Sequence, residues 1–566
     1  MFVSRVRSRG KDGRAYVSVL LRESRRAGKK VLSRTLAVLT DLPDWLIQVV
    51  ESAVKAGKDA NSLEQLATSA GSRLGLRCAE SFGAIFVVCQ IAQRCGIPQA
   101  LGPSEEARLA LWQVCARVLS PATSLLGMIR LAATNLAAGL LGFKEAFNED
   151  DLYQNGAWVA ASQAKIEAKL WTASPPSTTT GPESLFFYDV TSSYFEGVQN
   201  DLADFGYNRD RVKGKKQVVM GLLTDARGEP VSVSLFPGNT SDLSTFKTQI
   251  AALKDTFHQQ NITMVGDRGM IRRPQQTEVK EAGFHYISAL HKAEIETLLK
   301  SGELQMTLFD NLVHEIVMQD GRRLVTRCNP VRRGEMATAR QGFRTSMETW
   351  LAKANTYLKE HPKAKPDTQL KLGTTRLQRG KLHTWMTLEI KERTLRLLPD
   401  EAKLKEHAKL DGCYAIVSDL PEAVADKQTL HDRYKDLAKV ESDFRTLKHG
   451  HLEIRPWYVR NEDNTRAHAL TAMLALKIRR RLARAWEPLN LTVEEGLADL
   501  QRLSVMEIYE KSSGALVSRQ LPEPSASQAA LLHAAGVSLP PKAPAKGPDV
   551  VTRVKLQTQR KAGANP

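Results

Sequence analysis

Cysteine is scarce and scattered in this 566-residue chain. Cys78, Cys89, Cys95, Cys115, Cys328 and Cys413 form no Cys-x-x-Cys pair and have no paired histidines at zinc-ligand spacing. That excludes a zinc module and a disulfide framework and predicts buried thiols in a reducing compartment. Long apolar runs are missing too: the most apolar stretch, residues 125–143, is interrupted by Arg130 and Asn135, so no membrane span is expected. The start, Met1-Phe2-Val3-Ser4-Arg5, lacks the apolar centre of a secretory signal. No internal repeat is present. A soluble, intracellular protein is predicted.

Acidic excess is absent as well. Lysine and arginine number 80 against 62 acids, a formal net charge of +18, which attracts polyanions, nucleic acid first. Charge alone reads equally well as a solubility device, but its distribution favours a polyanion. Arg5, Arg7, Arg9, Lys11, Arg14, Arg22, Arg25, Arg26, Lys29, Lys30 and Arg34 face only Asp12 and Glu23 in the first 34 residues, and Lys477, Arg479, Arg480, Arg481 and Arg484 form a second cluster.

The length exceeds what one core supports, roughly 250 to 300 residues. Residues 1–75 read as a basic module, a hairpin from the apolar runs 16–21 and 31–37 followed by a helix at 45–56. Residues 76–172 carry amphipathic Ala- and Leu-rich runs, an α-helical domain. A Pro, Ser and Thr linker occupies 173–183. Strand-like runs at 184–190, 217–224 and 230–236, a helix from Ser241 to about Phe257, a strand at 262–266, a helix at 274–282 and a strand at 286–290 then form an α/β layer with mixed strand directions over 184–291. Residues 292–412, with strand-like 313–317 and 324–328 and a helix at 340–360, read as an insertion that interrupts the sheet. The layer resumes over 413–485 with a strand at 414–417 and helices at 430–448 and 465–484. Residues 486–566 form a helical segment and a loose tail, with one short helix at 528–535.

Three acids stand out against this background. Asp189 lies inside the apolar run Phe186-Phe187-Tyr188-Asp189-Val190-Thr191, where an unpaired carboxylate is costly and calls for a cation. Asp267 ends a strand in Val265-Gly266-Asp267-Arg268-Gly269, the position at which α/β sheets place their ligands. Glu441 sits in a helical run with Tyr434, Arg445 and Lys448 on one stripe. Taken singly, each has an ordinary alternative: a paired strand-end acid, a turn, an i,i+4 ion pair. Clustered carboxylates are what hard divalent cations require when they assist phosphodiester chemistry.

The box Tyr434-x2-Leu437-x3-Glu441-x6-Lys448 resembles the Tyr-x2-Arg-x3-Glu-x6-Lys signature of bacterial insertion-sequence transposases with a DDE active site. Tyr188-Asp189-Val190-Thr191 and Gly266-Asp267-Arg268-Gly269 resemble the two Asp segments of that family. The resemblance covers roughly residues 184–484. It implies a ribonuclease-H-like core, a mixed five-stranded sheet with helices, interrupted by a long, partly β insertion that closes over the DNA end. It further implies that Asp189, Asp267 and Glu441 ligate two Mg²⁺ or Mn²⁺ ions, that terminal inverted repeats of double-stranded DNA are cleaved and their 3′-hydroxyls joined to target DNA, and that a homodimer pairs two ends near the bacterial nucleoid in the cytoplasm. Tyr434, Arg445, Lys448, Arg268 and Lys439 are the DNA-contact candidates, and Trp350 or Trp385 the candidates for stacking on an unpaired base. One departure is plain: Leu437 stands where the box has Arg, whose role is either dispensable here or taken by Lys439 or Arg433. A transposase-derived binding protein without chemistry, or a nuclease without joining, would share these motifs.

Overall fold

The computed structural model describes the chain except residues 10–14, 28–29, 41, 43, 57–72, 174–183, 198, 258–261, 450–451, 456 and 551–566. The expected linker, part of the N-terminal basic cluster and the end of the tail lie outside the described residues. The chain divides into two units, one made of Met1–Ala161 and Leu474–Pro566, the other of Ser162–Met473. Among the described residues, no helix is long and apolar enough to cross a membrane.

In the first unit, strands β1 (Phe2–Arg9), β2 (Ala15–Ala27) and β3 (Lys30–Val38) form an antiparallel sheet ahead of the helix Asp44–Ala56. The sequence predicts only a hairpin here. β1 is short of apolar residues and is held by pairing with β2, Phe2 opposite Arg22 through Arg9 opposite Ala15, while Val3 packs on Val19, Leu39 and Ile47. The predicted helices follow, among them Gly83–Arg94, Glu105–Leu119 and Leu125–Thr134, the last two N-capped by Ser104 and Ser124. They bury Phe82, Val87 and Trp112. A strand is present too: β4 (Leu74–Ser81) pairs with β15 (Ser504–Glu510), which pairs with β16 (Leu516–Gln520). Arg77–Glu507 and Arg519–Glu80 ion pairs tie these strands across their register. The segment after residue 521 is not wholly loose: the helix Ala526–Ala534 buries Leu531 and Leu532, and the Trp486 indole donates to the Leu531 carbonyl at 3.1 Å.

The second unit is built on an eight-stranded mixed sheet. Its members are β5 (Ser184–Tyr194), β6 (Gln217–Asp225), β7 (Pro230–Phe236), β8 (Ile262–Gly266), β9 (His285–Ala289), β10 (His314–Val317), β11 (Arg323–Cys328) and β14 (Cys413–Ser418), in the order β10-β11-β14-β9-β8-β5-β6-β7. β8 runs parallel to β5 and β9; the other pairings are antiparallel. Every residue of β6 and β8 is buried, so these strands read as continuous apolar runs rather than alternating ones. Helices Asp242–Asp255 and Arg273–Glu281 contribute Phe246, Leu253 and Val279 to the core with Phe186, Tyr188 and Met264.

Three expectations change. The five predicted strands are present in the order β7-β6-β5-β8-β9, but the sheet continues to eight because β14, β11 and β10 add to its edge. Two of those, β10 and β11, fall in the predicted insertion but extend the sheet, since β11 is buried on both faces, with Leu324 opposite Val417 and Val325 opposite Ile416. The remaining insertion is mainly helical: a 31-residue helix Pro330–Glu360, helices Pro366–Arg379 and Glu401–Ala408, and the hairpin β12 (Met386–Lys391) and β13 (Thr394–Pro399). Third, the single helix expected at 430–448 is two, Lys427–Lys435 and Ala438–Lys448, separated at Asp436-Leu437.

Edge strand β7 is clasped by a buried acid. Glu167 accepts from Gln163, Ser232 and the Val233 amide, and burial pushes its carboxyl up to about 7 despite those donors. A carboxyl raised in the folded state binds its proton more tightly there, so its stabilisation is complete below the ordinary value of 4.5 and fades as pH rises toward 7. Glutamine reproduces the protonated acid, with the amide able to donate toward Ser232. Glu167→Gln should therefore shift the urea midpoint little at pH 4 and raise stability at pH 8 by on the order of 2 to 3 kcal/mol. A Gln variant that is less stable at pH 8 would overturn this account.

Candidate active site

Strand pairing brings the first two acids together. In the parallel pair β5–β8, strands roughly 4.8 Å apart, the last register partners are Tyr188 and Gly266, so Asp189 and Asp267 are the residues that follow on the two neighbouring segments. The chain turns at once after Gly266, where the Asp267 carbonyl accepts from the Met270 amide at 2.9 Å. A Cβ at Gly266 would meet the end of the Ile271 side chain at 2.9 Å, so a larger residue there would displace Ile271 from beneath the turn. Glu441 arrives on the first turn of Ala438–Lys448, a helix that packs on β5. A carboxylate is favourable at that end of the helix dipole.

Asp189 is half-buried and accepts a 2.8 Å hydrogen bond from the Val190 amide. Burial pushes its carboxyl up to about 7, and the charges of Asp267 and Glu441 push it the same way, while the Val190 amide and Arg209 pull it down. Asp267 and Glu441 are exposed. The Tyr434 hydroxyl donates to Asp267 at 3.3 Å, and burial together with the Asp267 charge holds that phenol above its usual range. Tyr434 belongs to the helix preceding the one that carries Glu441, so the two share a site without sharing a helix.

The predicted cations divide. Arg445 and Arg268 are exposed at the site. Lys439 ion-pairs with Asp436 at 3.0 Å and reaches the Ala226 carbonyl at 3.4 Å. Lys448, a DNA-contact candidate by its place on the Glu441 stripe, is buried: its ammonium contacts the Ser192 carbonyl and pairs with Asp210 at 3.0 Å. Burial lowers its pKa, partly offset by Asp210. Leu437, where the box has Arg, is also buried, at the joint between the two helices. Trp385 lies in the core of the insertion and Trp350 packs against that core, so the structure offers neither as an exposed stacking surface.

Sequence reading missed the polar frame beneath the acids. Asp210 joins Lys448, Arg455 and the Tyr194 amide, and Arg209 grips both oxygens of Asp242 at 2.5 and 2.6 Å. Its only sequence trace is an acid among cations in Asn208-Arg209-Asp210-Arg211.

The donor set suits a hard divalent cation in kind: three carboxylates, one of them half-buried and facing the charge of the other two. Among the described residues, no three acid, histidine or cysteine side chains stand close enough to grip an ion as they are placed.

Residues 180–478, more than half of the chain, match the family model described as the transposase DDE domain. A search of curated proteins returns no match. Among solved structures, the piggyBac transposase synaptic complex with hairpin DNA aligns over 80% of this chain and 77% of that chain, at 8% identity and a TM-score of 0.34.

Proposed function

Since the chain belongs to the family of transposase DDE domains, we propose that it binds the terminal inverted repeats of a mobile element, cleaves DNA phosphodiesters at the element ends and joins the 3′-hydroxyls to target DNA. The observation that carries this reading is the convergence of Asp189, Asp267 and Glu441, the last 174 positions beyond Asp267, to the point that two of them shift the carboxyl of the third. The order β7-β6-β5-β8-β9 supports a ribonuclease-H-like core beneath them.

The three carboxylates would hold Mg²⁺ or Mn²⁺, two ions on this reading, and bound ions supply charge neutralisation at the attacking and leaving oxygens of the phosphodiester. What the chain itself contributes is placement. Asp189 is fixed by its strand and by Val190, and it must lose a proton, held up to about pH 7, before acting as an oxygen ligand. Tyr434 positions Asp267 through its hydroxyl. Arg445 and Arg268 face solvent, where DNA phosphates would approach. Two copies of the chain are expected on paired ends.

Products test the proposal. With a terminal-repeat duplex, target DNA and Mg²⁺, strands joined to target are expected. Cut strands without joining would mean a nuclease, and bound but intact DNA a binding protein.

A further inference from the structure

Between β5 and β6 the chain runs through Asp204-Phe205-Gly206-Tyr207-Asn208-Arg209-Asp210-Arg211-Val212-Lys213-Gly214-Lys215-Lys216. Tyr207 is 82% exposed and Phe205 61%. Two large aromatics so exposed, two residues apart, contribute almost nothing to the core. Yet the backbone that carries them is pinned. Asp204 and Gln217 exchange amide–carbonyl hydrogen bonds of 3.1 and 2.9 Å, and the Gln217 amide side chain donates to the Gly238 carbonyl at 2.8 Å. Gly206 lies so close to Gly238 that a Cβ would sit 2.1 Å from its carbonyl oxygen. The Ser192 hydroxyl receives the Arg209 amide at 3.1 Å, and Arg209 is locked to Asp242.

The rings are therefore displayed from a fixed base, in a strongly cationic setting. Arg209, Arg211, Lys213, Lys215 and Lys216 follow within nine residues of Tyr207; Arg209 pairs with Asp242 and Lys215 with Glu196 at 2.9 Å, and the one acid among them in sequence, Asp210, is buried and already paired with Lys448 and Arg455. Arg209 lies 5.7 Å from the centre of the Tyr207 ring, and Lys216 5.9 Å from that of Phe205. The platform also adjoins the strand of Asp189, since Ser192, three residues further along β5, donates its hydroxyl to the Tyr207 carbonyl at 3.4 Å. Rigid exposed rings flanked by cations are the surface on which unpaired bases stack while the backbone phosphates are neutralised, and any base has the π-face needed.

We infer that Phe205 and Tyr207 form a stacking platform for unpaired bases of the DNA end beside the three acids. The inference rests on the reading of the chain as a DNA-end enzyme, but its test requires no catalysis. Full-length protein in EDTA is titrated with two duplexes of one sequence, one fully paired and one with two unpaired terminal bases, one of them 2-aminopurine. Wild type should quench the unpaired 2-aminopurine and bind the frayed duplex more tightly. The Phe205→Ala/Tyr207→Ala double variant should lose the quenching and about 5- to 150-fold of frayed-end affinity, while keeping the melting temperature and the affinity for the paired duplex. Tyr207→Phe should behave as wild type. Undiminished quenching in the double variant, or an equal loss on both duplexes, overturns the platform. A protein that never joins strands with Mg²⁺ would overturn the transposase reading and leave this result standing.

Discussion

Asp189→Asn, Asp267→Asn and Glu441→Gln should each lower Mg²⁺-dependent cleavage by about 10²- to 10⁴-fold, the effect of losing several kcal/mol of transition-state charge stabilisation. Their effects on stability should differ. Asp267 and Glu441 are exposed, and without divalent ions their amide variants should melt within about 0.5 kcal/mol of wild type. Asp189 is half-buried and faces both of the others, so its carboxyl is raised from 3.8 to about 7. A raised acid binds its proton more tightly in the folded state, and the penalty for ionising it grows as pH climbs from about 4 and is complete above about 7. The metal-free Asp189→Asn protein should thus equal wild type near pH 4 and exceed it by on the order of 2 to 4 kcal/mol at pH 8, read from thermal unfolding. Mg²⁺ should narrow that gap by stabilising wild type alone. An Asn variant that is less stable than wild type at pH 8 would show that Asp189 carries no such electrostatic strain.

The second large effect is expected at Asp210, a residue outside every motif. Removing its charge with Asp210→Ala leaves the buried Lys448 ammonium facing Arg455 with no carboxylate between them. Uncompensated buried charges of this kind cost about 3 to 5 kcal/mol, a fall in melting temperature of roughly 5 to 8 °C for a unit of this size. Lys448→Ala should also destabilise, less severely because Arg455 remains on Asp210. Neither change should alter the salt dependence of DNA binding if Lys448 positions β5 through the Ser192 carbonyl rather than meeting a phosphate. Arg445→Ala is the contrast: exposed, it should leave stability unchanged and reduce the salt slope by about 1. If Lys448→Ala melted like wild type and lowered that slope by the same amount, Lys448 would be a phosphate contact after all.

Both predictions turn on features that a linear reading sees unequally. Asp189 is legible because an acid inside Phe186-Phe187-Tyr188 is anomalous on local grounds, and Asp267 because Gly266 and the turn after it are local too. Glu441 is legible as a helix residue in a box. Each carries its signal within ten residues or so, which is the range over which periodicity and turn chemistry act. The fate of a cation has no such range. Lys448 and Arg445 are alike on a helical stripe, yet one is buried on Asp210 and the other faces solvent. The same holds for aromatics: Trp385 reads as a stacking candidate and is core, while Tyr207 passes unnoticed in a polar loop and is 82% exposed.

Strand identity likewise follows from local composition, whereas strand partnership does not. β10, β11 and β14 were each visible as apolar runs, but their joining of the sheet depends on pairings such as Leu324 with Val417, and β4 waits for β15 more than 400 residues later. Sequence by itself determined the kinds of element, the basic balance and the three acids with the chemistry they suit, because those depend on residue type and short spacing. Only the tertiary structure decided that the sheet has eight strands, that Asp189 is loaded by two other carboxylates, and which cations and rings remain available to a polyanion. Burial and charge pairing are set by neighbours in space, and in this chain the decisive neighbours lie from about twenty to several hundred residues away.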